Sequence, residues 1–182
     1  MEIDLKKYNI VRLSAVSPEM KVADVEFNTA KIKEAIEQGL SQGCHFYLFP
    51  ELCLTGYSCG DLFFQSALES AVNNSLSCLL DFSIEKSVSL VVGAPIRSSG
   101  KIYNAAIFIS CGKIIGIVPK TSIPNSGEYY EKRWFATDAD RTEDSLNILG
   151  DEVPFGADLI FQAKGLQSLL VGIEICEDLW AA

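Results

Sequence analysis

Hydrophobic residues along the 182-residue chain form either short continuous runs or stripes with helical spacing. Apolar runs of roughly four to eight residues are typical of buried strands, and apolar stripes with a period near 3.6 residues are typical of helices packed on one face. We predict strands at residues 8–16, 45–49, 89–94, 103–110, 113–118, 146–149, 158–163 and 168–175. We predict helices at residues 24–42 and 66–86. This succession indicates an α/β fold in which helices pack on a sheet.

Local signals mark the ends of both predicted helices. Gly43 follows the first helix, as glycine follows many helices. Ser66 and Glu69 have the spacing of a capping box, so we expect Ser66 to cap the second helix. Residues 137–150 are acidic and weakly periodic, and we expect an exposed loop that contains only the short strand at 146–149.

The charge balance excludes several classes of partner. The chain has 15 Lys and Arg against 24 Asp and Glu, a net charge of −9, while 48% of its residues are apolar. Such a chain can bury a core but does not attract nucleic acid or anionic membranes, so we expect neither as a partner. No apolar run reaches the roughly 18 residues of a membrane span. The first seven residues place acids and lysines where a signal peptide would be apolar, and we expect a cytoplasmic protein.

The chain has six cysteines and one histidine, His45. The cysteines form no CxxC pair, and their spacing matches neither a zinc site nor a disulfide scaffold, so we expect no metal site. A cysteine–histidine mechanism would have to use His45. We expect His45 instead to be a half-buried residue of the strand at 45–49.

Three chemically useful residues follow predicted strands. Glu51 follows Pro50, Lys120 follows Pro119, and Cys176 follows the last apolar run. A desolvated glutamate suits a general base, a lysine can stabilise an oxyanion, and a cysteine at a turn can act as a nucleophile. Each alone has an ordinary alternative: an exposed glutamate, a surface lysine and a buried structural cysteine. Together they supply an acyl-transfer set that needs no histidine.

The runs around these residues resemble motifs of the nitrilase, or carbon–nitrogen hydrolase, superfamily. More narrowly, they are similar to the glutaminase domains of glutamine-dependent NAD+ synthetases. The similar segments occur in order at residues 50–63, 119–125, 131–135, 153–156 and 174–180, and so extend over nearly the whole chain. Ser126 differs from the tyrosine that many relatives carry there.

The resemblance implies roles for seven residues. It implies that Glu51 is the general base, Lys120 the oxyanion stabiliser and Cys176 the nucleophile that forms a glutamyl thioester. It also implies that Glu131 is a second glutamate near the triad. The predicted substrate-binding residues are Tyr57, Tyr129, Glu131 and Glu177.

The resemblance also implies an architecture and a set of partners. The fold expected is a nitrilase-like αββα sandwich, here ending soon after the nucleophile motif. Residues 1–182 would then be an N-terminal glutaminase domain, incomplete at its C-terminal end, with L-glutamine as substrate. The absent C-terminal synthetase domain would receive the ammonia and use ATP, Mg and deamido-NAD+, whereas this chain itself is expected to hold no cofactor. Relatives associate through this domain, so we expect a homo-oligomer.

Two other functions fit the same fold. A free-standing nitrilase-type amidase or carbamoylase would act on another small amide, but the run 177–180 favours the NAD+ synthetase type. A non-catalytic interaction domain would keep the fold without the activity. The presence of all three triad residues argues against that alternative.

Overall fold

A five-stranded sheet lies at the centre of the structure, a computed structural model that describes residues 10–166 and 168–181. The sheet order is β1-β2-β3-β4-β5. Strands β1, β2 and β3 pair in parallel, and the β3–β4 and β4–β5 pairs are antiparallel. Strands β2, β3 and β5 therefore run in one direction and end at the same edge of the sheet. The five strands are β1 (Leu13–Ala15), β2 (Phe46–Leu48), β3 (Ser89–Ser98), β4 (Lys101–Ser110) and β5 (Lys113–Pro119).

Two helices cover one face of this sheet. Asp24 caps the N-terminus of helix α1 (Val25–Leu40), and its carboxylate accepts a hydrogen bond from the Phe27 backbone N–H at 3.1 Å. Helix α2 (Ser66–Lys86) packs against α1 and against β3 and β4. The apolar stripes of the two helices form the main core with the sheet because their spacing places them on one side of each helix.

The opposite face of the sheet carries a smaller apolar cluster. Two short hairpins follow β5: β6 (Ser145–Ile148) with β7 (Asp151–Pro154), and β8 (Phe161–Gln162) with β9 (Leu170–Val171). The chain then returns across the sheet, and Ile175 joins the cluster just before Cys176. The buried members of this cluster are Val91, Ala106, Phe108, Val118 and Ile175.

The predicted α/β layering and both helices are confirmed, with several differences in detail. The predicted cap of α2 is wrong: Gln65 occupies the N-cap position without a side-chain hydrogen bond, and Glu69 instead pairs with Arg97 at 2.9 Å. The predicted loop at 137–150 contains part of a hairpin, because β7 pairs with β6. The strands predicted at 158–163 and 168–175 shorten to the two-residue pairs β8 and β9. Of the strand predicted at 8–16, residues 8 and 9 lie outside the described residues, and only Leu13–Ala15 is extended and paired.

In the part of the chain that the structure describes, neither helix is long and apolar enough to cross a membrane. The same residues contain no group of three or more His, Cys, Asp or Glu side chains that could hold a metal ion.

Candidate active site

Glu51 and Lys120 meet at the edge where β2 and β5 end. The Lys120 Nζ atom donates a hydrogen bond to the Glu51 Oε1 atom at 2.6 Å, although the two residues are 69 positions apart in sequence. The meeting follows from topology, because Glu51 lies three residues after the end of β2, Lys120 directly follows β5, and the two strands run in the same direction. The backbone of Lys120 is held in register by its N–H, which donates to the Asn104 carbonyl at 2.8 Å.

A second carboxylate, that of Glu131, also accepts hydrogen bonds from the Lys120 ammonium. Lys120 Nζ donates to Glu131 Oε1 at 3.0 Å and Oε2 at 2.9 Å. The side chains of Lys120 and Glu131 are 0% and 1% exposed, and that of Glu51 is 18% exposed. Burial alone would lower the pKa of the Lys120 ammonium. The hydrogen bonds and charges of Glu51 and Glu131 outweigh burial, so the pKa of Lys120 lies above its ordinary value.

Cys176 opens a 3-10 turn, Cys176–Leu179, at the same end of the sheet. Its φ angle is +49°, in the left-handed region that side chains other than glycine rarely adopt. Leu52, directly after Glu51, is also left-handed, with φ +51°. The Cys176 side chain is exposed.

The charges around Cys176 favour the neutral thiol. Partial burial and the Glu51 charge raise the pKa of the thiol, with a smaller contribution from Glu131. The Lys120 charge and a hydrogen bond from the Glu177 backbone lower it, but the net pKa of Cys176 is raised. A thiol with a raised pKa is protonated at neutral pH, so it needs a base when it attacks.

A cavity of about 140 Å³ connects the glutamate and the cysteine. A wider, more open cleft of about 280 Å³ lies elsewhere on the surface, between Arg97, Lys101 and Trp134, and its lining includes no cysteine, serine or threonine. The smaller cavity is lined by Leu48, Phe49, Pro50, Glu51, Val91, Gly93, Asn104, Ala105, Ala106, Ile173, Glu174, Ile175 and Cys176.

The two predicted substrate tyrosines lie beside Glu131. The Tyr57 hydroxyl donates to Glu131 Oε1 at 2.9 Å, and burial together with that carboxylate raises the pKa of Tyr57. The Tyr129 ring packs edge-on against the Tyr57 ring, with centroids 6.5 Å apart. Both tyrosines are partly exposed, so they form a rim that a ligand can reach. Glu177 is adjacent to the nucleophile in the chain, and its side chain is half-buried but does not line the cavity.

A model of the carbon-nitrogen hydrolase family matches residues 12–182. The chain belongs to this family.

Curated relatives of this carbon-nitrogen hydrolase have larger chains. It is 36% identical over 174 residues to the glutamine-dependent NAD(+) synthetase of Mycobacterium tuberculosis, a match that covers 96% of this chain and 26% of that protein. The chain thus spans about a quarter of the length of the curated relatives it matches.

Solved structures share the fold. A glutamine-dependent NAD(+) synthetase from Cytophaga hutchinsonii superposes with a TM-score of 0.77 at 27% identity, covering 92% of this chain and 28% of that one. An amidase from Nesterenkonia sp. superposes with a TM-score of 0.63 at 19% identity, covering 75% of this chain and 50% of that one. The hydrolase therefore has the nitrilase-like α/β fold that its motifs predict.

Asn104 and Asp178 of the hydrolase also contact this site, and the sequence analysis indicated neither residue. Asn104 Nδ2 donates to Glu51 Oε1 at 2.5 Å. Asp178 Oδ1 accepts hydrogen bonds from the backbone of Thr121 and Ser122, and Asp178 Oδ2 accepts one from the backbone of Ile175. The available signal for Asn104 was a single polar residue within an apolar strand, whereas Asp178 was hidden in an acidic run.

The geometry does not support His45 as a partner of the nucleophile. His45 precedes β2, whereas Glu51 follows it, so the histidine lies at the opposite end of that strand. The expectation that His45 is half-buried is wrong, because its ring is exposed and its Nδ1 lies 3.3 Å from the Ser87 carbonyl oxygen.

Proposed function

We propose that the chain hydrolyses the side-chain amide of L-glutamine to glutamate and ammonia through a thioester on Cys176. One observation carries the proposal: a buried lysine is held between two glutamates, and one of those glutamates shares a cavity with an exposed cysteine. This arrangement provides a base, an oxyanion stabiliser and a nucleophile within one site.

Acylation uses all three groups. Glu51 takes the proton of the Cys176 thiol while the sulfur forms a bond to the amide carbon. The Lys120 ammonium and the Glu177 backbone N–H stabilise the negative charge that develops on the carbonyl oxygen. Glu51 then gives its proton to the amide nitrogen, the carbon–nitrogen bond breaks, and ammonia leaves. The raised pKa of the thiol explains why this nucleophile needs an adjacent base.

In deacylation Glu51 again acts first as a base and then as an acid. A water molecule loses a proton to Glu51 and adds to the thioester carbon. The carbon–sulfur bond breaks, glutamate leaves, and Glu51 returns the proton to the sulfur. The enzyme regains its starting state, and Lys120 keeps its proton throughout because its pKa is raised.

The choice of glutamine rests on the relatives. The curated relative named above is a glutamine-dependent NAD(+) synthetase, and the match covers nearly all of this chain. We infer that residues 1–182 act as an N-terminal glutaminase domain of such an enzyme. Tyr57, Tyr129 and Glu177 would contact glutamine around the triad, whereas Glu131, 1% exposed and bonded to Lys120, would hold the lysine in place. The tyrosine hydroxyls and the Glu177 carboxylate suit a ligand that carries an ammonium group and an amide.

The receiving partner follows from the same inference. A C-terminal synthetase domain would use the ammonia with ATP, Mg and deamido-NAD+, and the assembly would be a homo-oligomer. This chain has no phosphate-binding glycine motif of its own, so the nucleotide would bind the synthetase domain. All six cysteines are free thiols, as suits the reducing cytoplasm where we place the reaction.

The test is ammonia release from glutamine by the native protein and by two variants. Cys176→Ala should reduce release to background, because no thioester can form. Cys78→Ala removes another exposed cysteine and should leave the rate unchanged, which makes it the matched control. Equal rates in the wild type and Cys176→Ala would reject the nucleophile assignment.

Substrate competition separates the alternative functions. A glutaminase should hydrolyse glutamine with a far higher kcat/KM than acetamide or propionamide. Faster turnover of the small amides would indicate a free-standing amidase. A wild-type protein whose Cys176 reacts no faster than Cys78 with a thiol reagent would indicate a non-catalytic domain.

A further inference from the structure

We infer that Asn104 is a positioning residue for Glu51: its amide fixes one carboxylate oxygen and leaves the other free to exchange the proton with Cys176. The inference rests on the proposed roles of Glu51 and Cys176. It adds a residue that none of the sequence motifs indicated.

Two donors converge on a single oxygen of Glu51. Lys120 Nζ lies 2.6 Å from Oε1, and Asn104 Nδ2 lies 2.5 Å from the same atom. Oε2 accepts no hydrogen bond from any residue that the structure describes. Because both donors hold Oε1, the orientation of the carboxylate is fixed and Oε2 is the oxygen available for proton transfer.

The need of a carboxylate oxygen for a donor determines which end of the Asn104 amide faces Glu51. A carboxylate oxygen accepts hydrogen bonds, so the group that faces Glu51 at this distance must be the NH2 and not the carbonyl oxygen. The backbone carbonyl of Asn104 accepts a hydrogen bond from the backbone N–H of Lys120 at 2.8 Å. The asparagine is therefore tied to both members of the pair, to Lys120 through its backbone and to Glu51 through its side chain.

The other end of the amide shows that this position is not optimised for stability. Asn104 is 0% exposed, and within the described chain its Oδ1 is a buried side-chain atom without a hydrogen-bond partner. Burying an unpaired acceptor is unfavourable, and such groups are rare in folded proteins. On the same face of β4, the next alternate positions are apolar, Ala106 and Phe108. A residue selected only for packing at position 104 would be apolar as well.

A double-mutant cycle with Glu51 tests the inference in the native protein. Asn104→Leu keeps the branching and the number of heavy atoms of the side chain, removes the donor and removes the unpaired acceptor. One readout is the rate at which iodoacetamide alkylates Cys176. In that reaction sulfur displaces iodide and the thiol proton passes to Glu51, so the readout requires no glutamine. The other readout is kcat and KM for glutamine.

We expect Asn104→Leu to slow alkylation and lower kcat by about 10- to 100-fold, the range for a misplaced catalytic group. KM should change less than about threefold, because the substrate is not contacted. In a Glu51→Gln background the same substitution should change the alkylation rate less than about twofold, because a residue that acts through Glu51 has nothing left to position. Asn147→Leu, at an exposed site on β6, is the matched control and should change neither rate.

The melting temperature distinguishes a positioning residue from a purely structural one, because removing a structural residue lowers Tm. Because Asn104→Leu removes a buried unpaired oxygen, its Tm should equal or exceed that of the wild type while its rate falls. If Asn104→Leu does not fold, Asn104→Ser serves as the second variant, since its hydroxyl is too short to reach Glu51. Rates for either variant are normalised to the amount of Cys176 that can be alkylated.

Each outcome decides a separate question. Equal losses in the wild-type and Glu51→Gln backgrounds, or an unchanged rate in Asn104→Leu, would overturn the positioning role. Glu51-dependent alkylation without ammonia release from glutamine would instead overturn the proposed function and leave the positioning role supported.

Discussion

At the scale of single residues, the site is a buried ammonium held between two carboxylates. Lys120 neutralises one charge of the pair Glu51 and Glu131, which would otherwise repel each other in a largely buried site. Removing one partner of such a buried cluster leaves charge without compensation, so Lys120 has both a chemical and a structural consequence.

Lys120→Ala should therefore lose activity and stability together. The loss of one oxyanion donor costs about 2.7–4 kcal/mol of transition-state stabilisation, or about 10²- to 10³-fold in kcat. Breaking the buried ion cluster should also lower the free energy of unfolding by about 3–5 kcal/mol. Steady-state kinetics and urea unfolding measure the two effects. Lys113→Ala, at an exposed site on β5, is the control, and a loss of only a few-fold for Lys120→Ala would make Lys120 an ordinary lysine.

The ionisation of the Cys176 thiol should follow its raised pKa. A raised pKa keeps the thiol protonated to higher pH, so the ultraviolet absorbance of the thiolate, taken as the difference between the wild type and Cys176→Ala, should continue to rise above pH ~8.5, the ordinary range of a free thiol. Since the Lys120 charge lowers the pKa of Cys176, Lys120→Ala should move the profile to still higher pH. A thiolate that is already fully formed at about pH 6 would contradict this assignment of charges.

At the scale of elements, β3 supports the loop that carries Glu51. The Gly93 carbonyl accepts from the Leu54 N–H at 3.1 Å. A Cβ atom at position 93 would overlap the backbone nitrogen of Leu52 and the backbone of Pro50 and Glu51. Close backbone approach thus requires glycine at this position.

Gly93→Ala should displace the Glu51 loop. Overpacking at backbone contacts costs typically 1–3 kcal/mol, so we expect a destabilisation of about that size together with a clear loss of kcat. Gly172→Ala is the matched control, because its Cβ would meet only the Ile160 side chain at 3.5 Å. Thermal unfolding and ammonia release measure both variants, and indistinguishable behaviour of the two would contradict the packing argument.

Asp178 links two elements of the site. Its Oδ1 accepts from the Thr121 N–H at 3.0 Å, the Thr121 hydroxyl at 2.7 Å and the Ser122 N–H at 2.7 Å. Its Oδ2 accepts from the Ile175 N–H at 3.1 Å. The carboxylate therefore connects the turn that begins at Cys176 to the loop that follows Lys120.

Asp178→Ala should loosen that connection. Hydrogen bonds to a charged group contribute about 1.5–3 kcal/mol, so hydrogen exchange at the Thr121, Ser122 and Ile175 amides should become faster. Ammonia release should fall because the nucleophile is less well placed. Asp151→Ala, at an exposed site on β7, should leave both measurements unchanged. Unaltered exchange in Asp178→Ala would show that the turn holds its shape without the carboxylate.

At the scale of the whole molecule, hydrophobic spacing predicts most of the architecture. Helix α2 and the strands β3 to β5 follow from apolar runs and turn residues, because these elements are buried against one another, although β3 continues to Ser98, beyond its predicted end at residue 94. The cap at Ser66 fails because local capping preference is weak compared with tertiary contacts, and Arg97 recruits Glu69 instead. The hairpin partner β7 is missed because Val153 is the single buried apolar residue among its four positions.

The site is less predictable from the sequence than the fold. Glu51, Lys120 and Cys176 could be marked because each follows an apolar run, and the family motifs named them. Spacing alone could not predict their contact, because it depends on two strands that lie far apart in sequence ending at one edge of the sheet. Asn104 could not be predicted, since its function depends on the direction of a side chain within a buried strand.

In the proposed reaction Cys176 carries the acyl group of glutamine. The most direct measurement is acid quenching of the native protein during turnover, followed by digestion and mass spectrometry of every cysteine-containing peptide. We predict a γ-glutamyl adduct on the peptide that contains Cys176, none on the peptides of the other five cysteines, and no adduct in Cys176→Ala. An adduct on a different cysteine, or glutamine turnover with no covalent adduct on any peptide, would contradict the account.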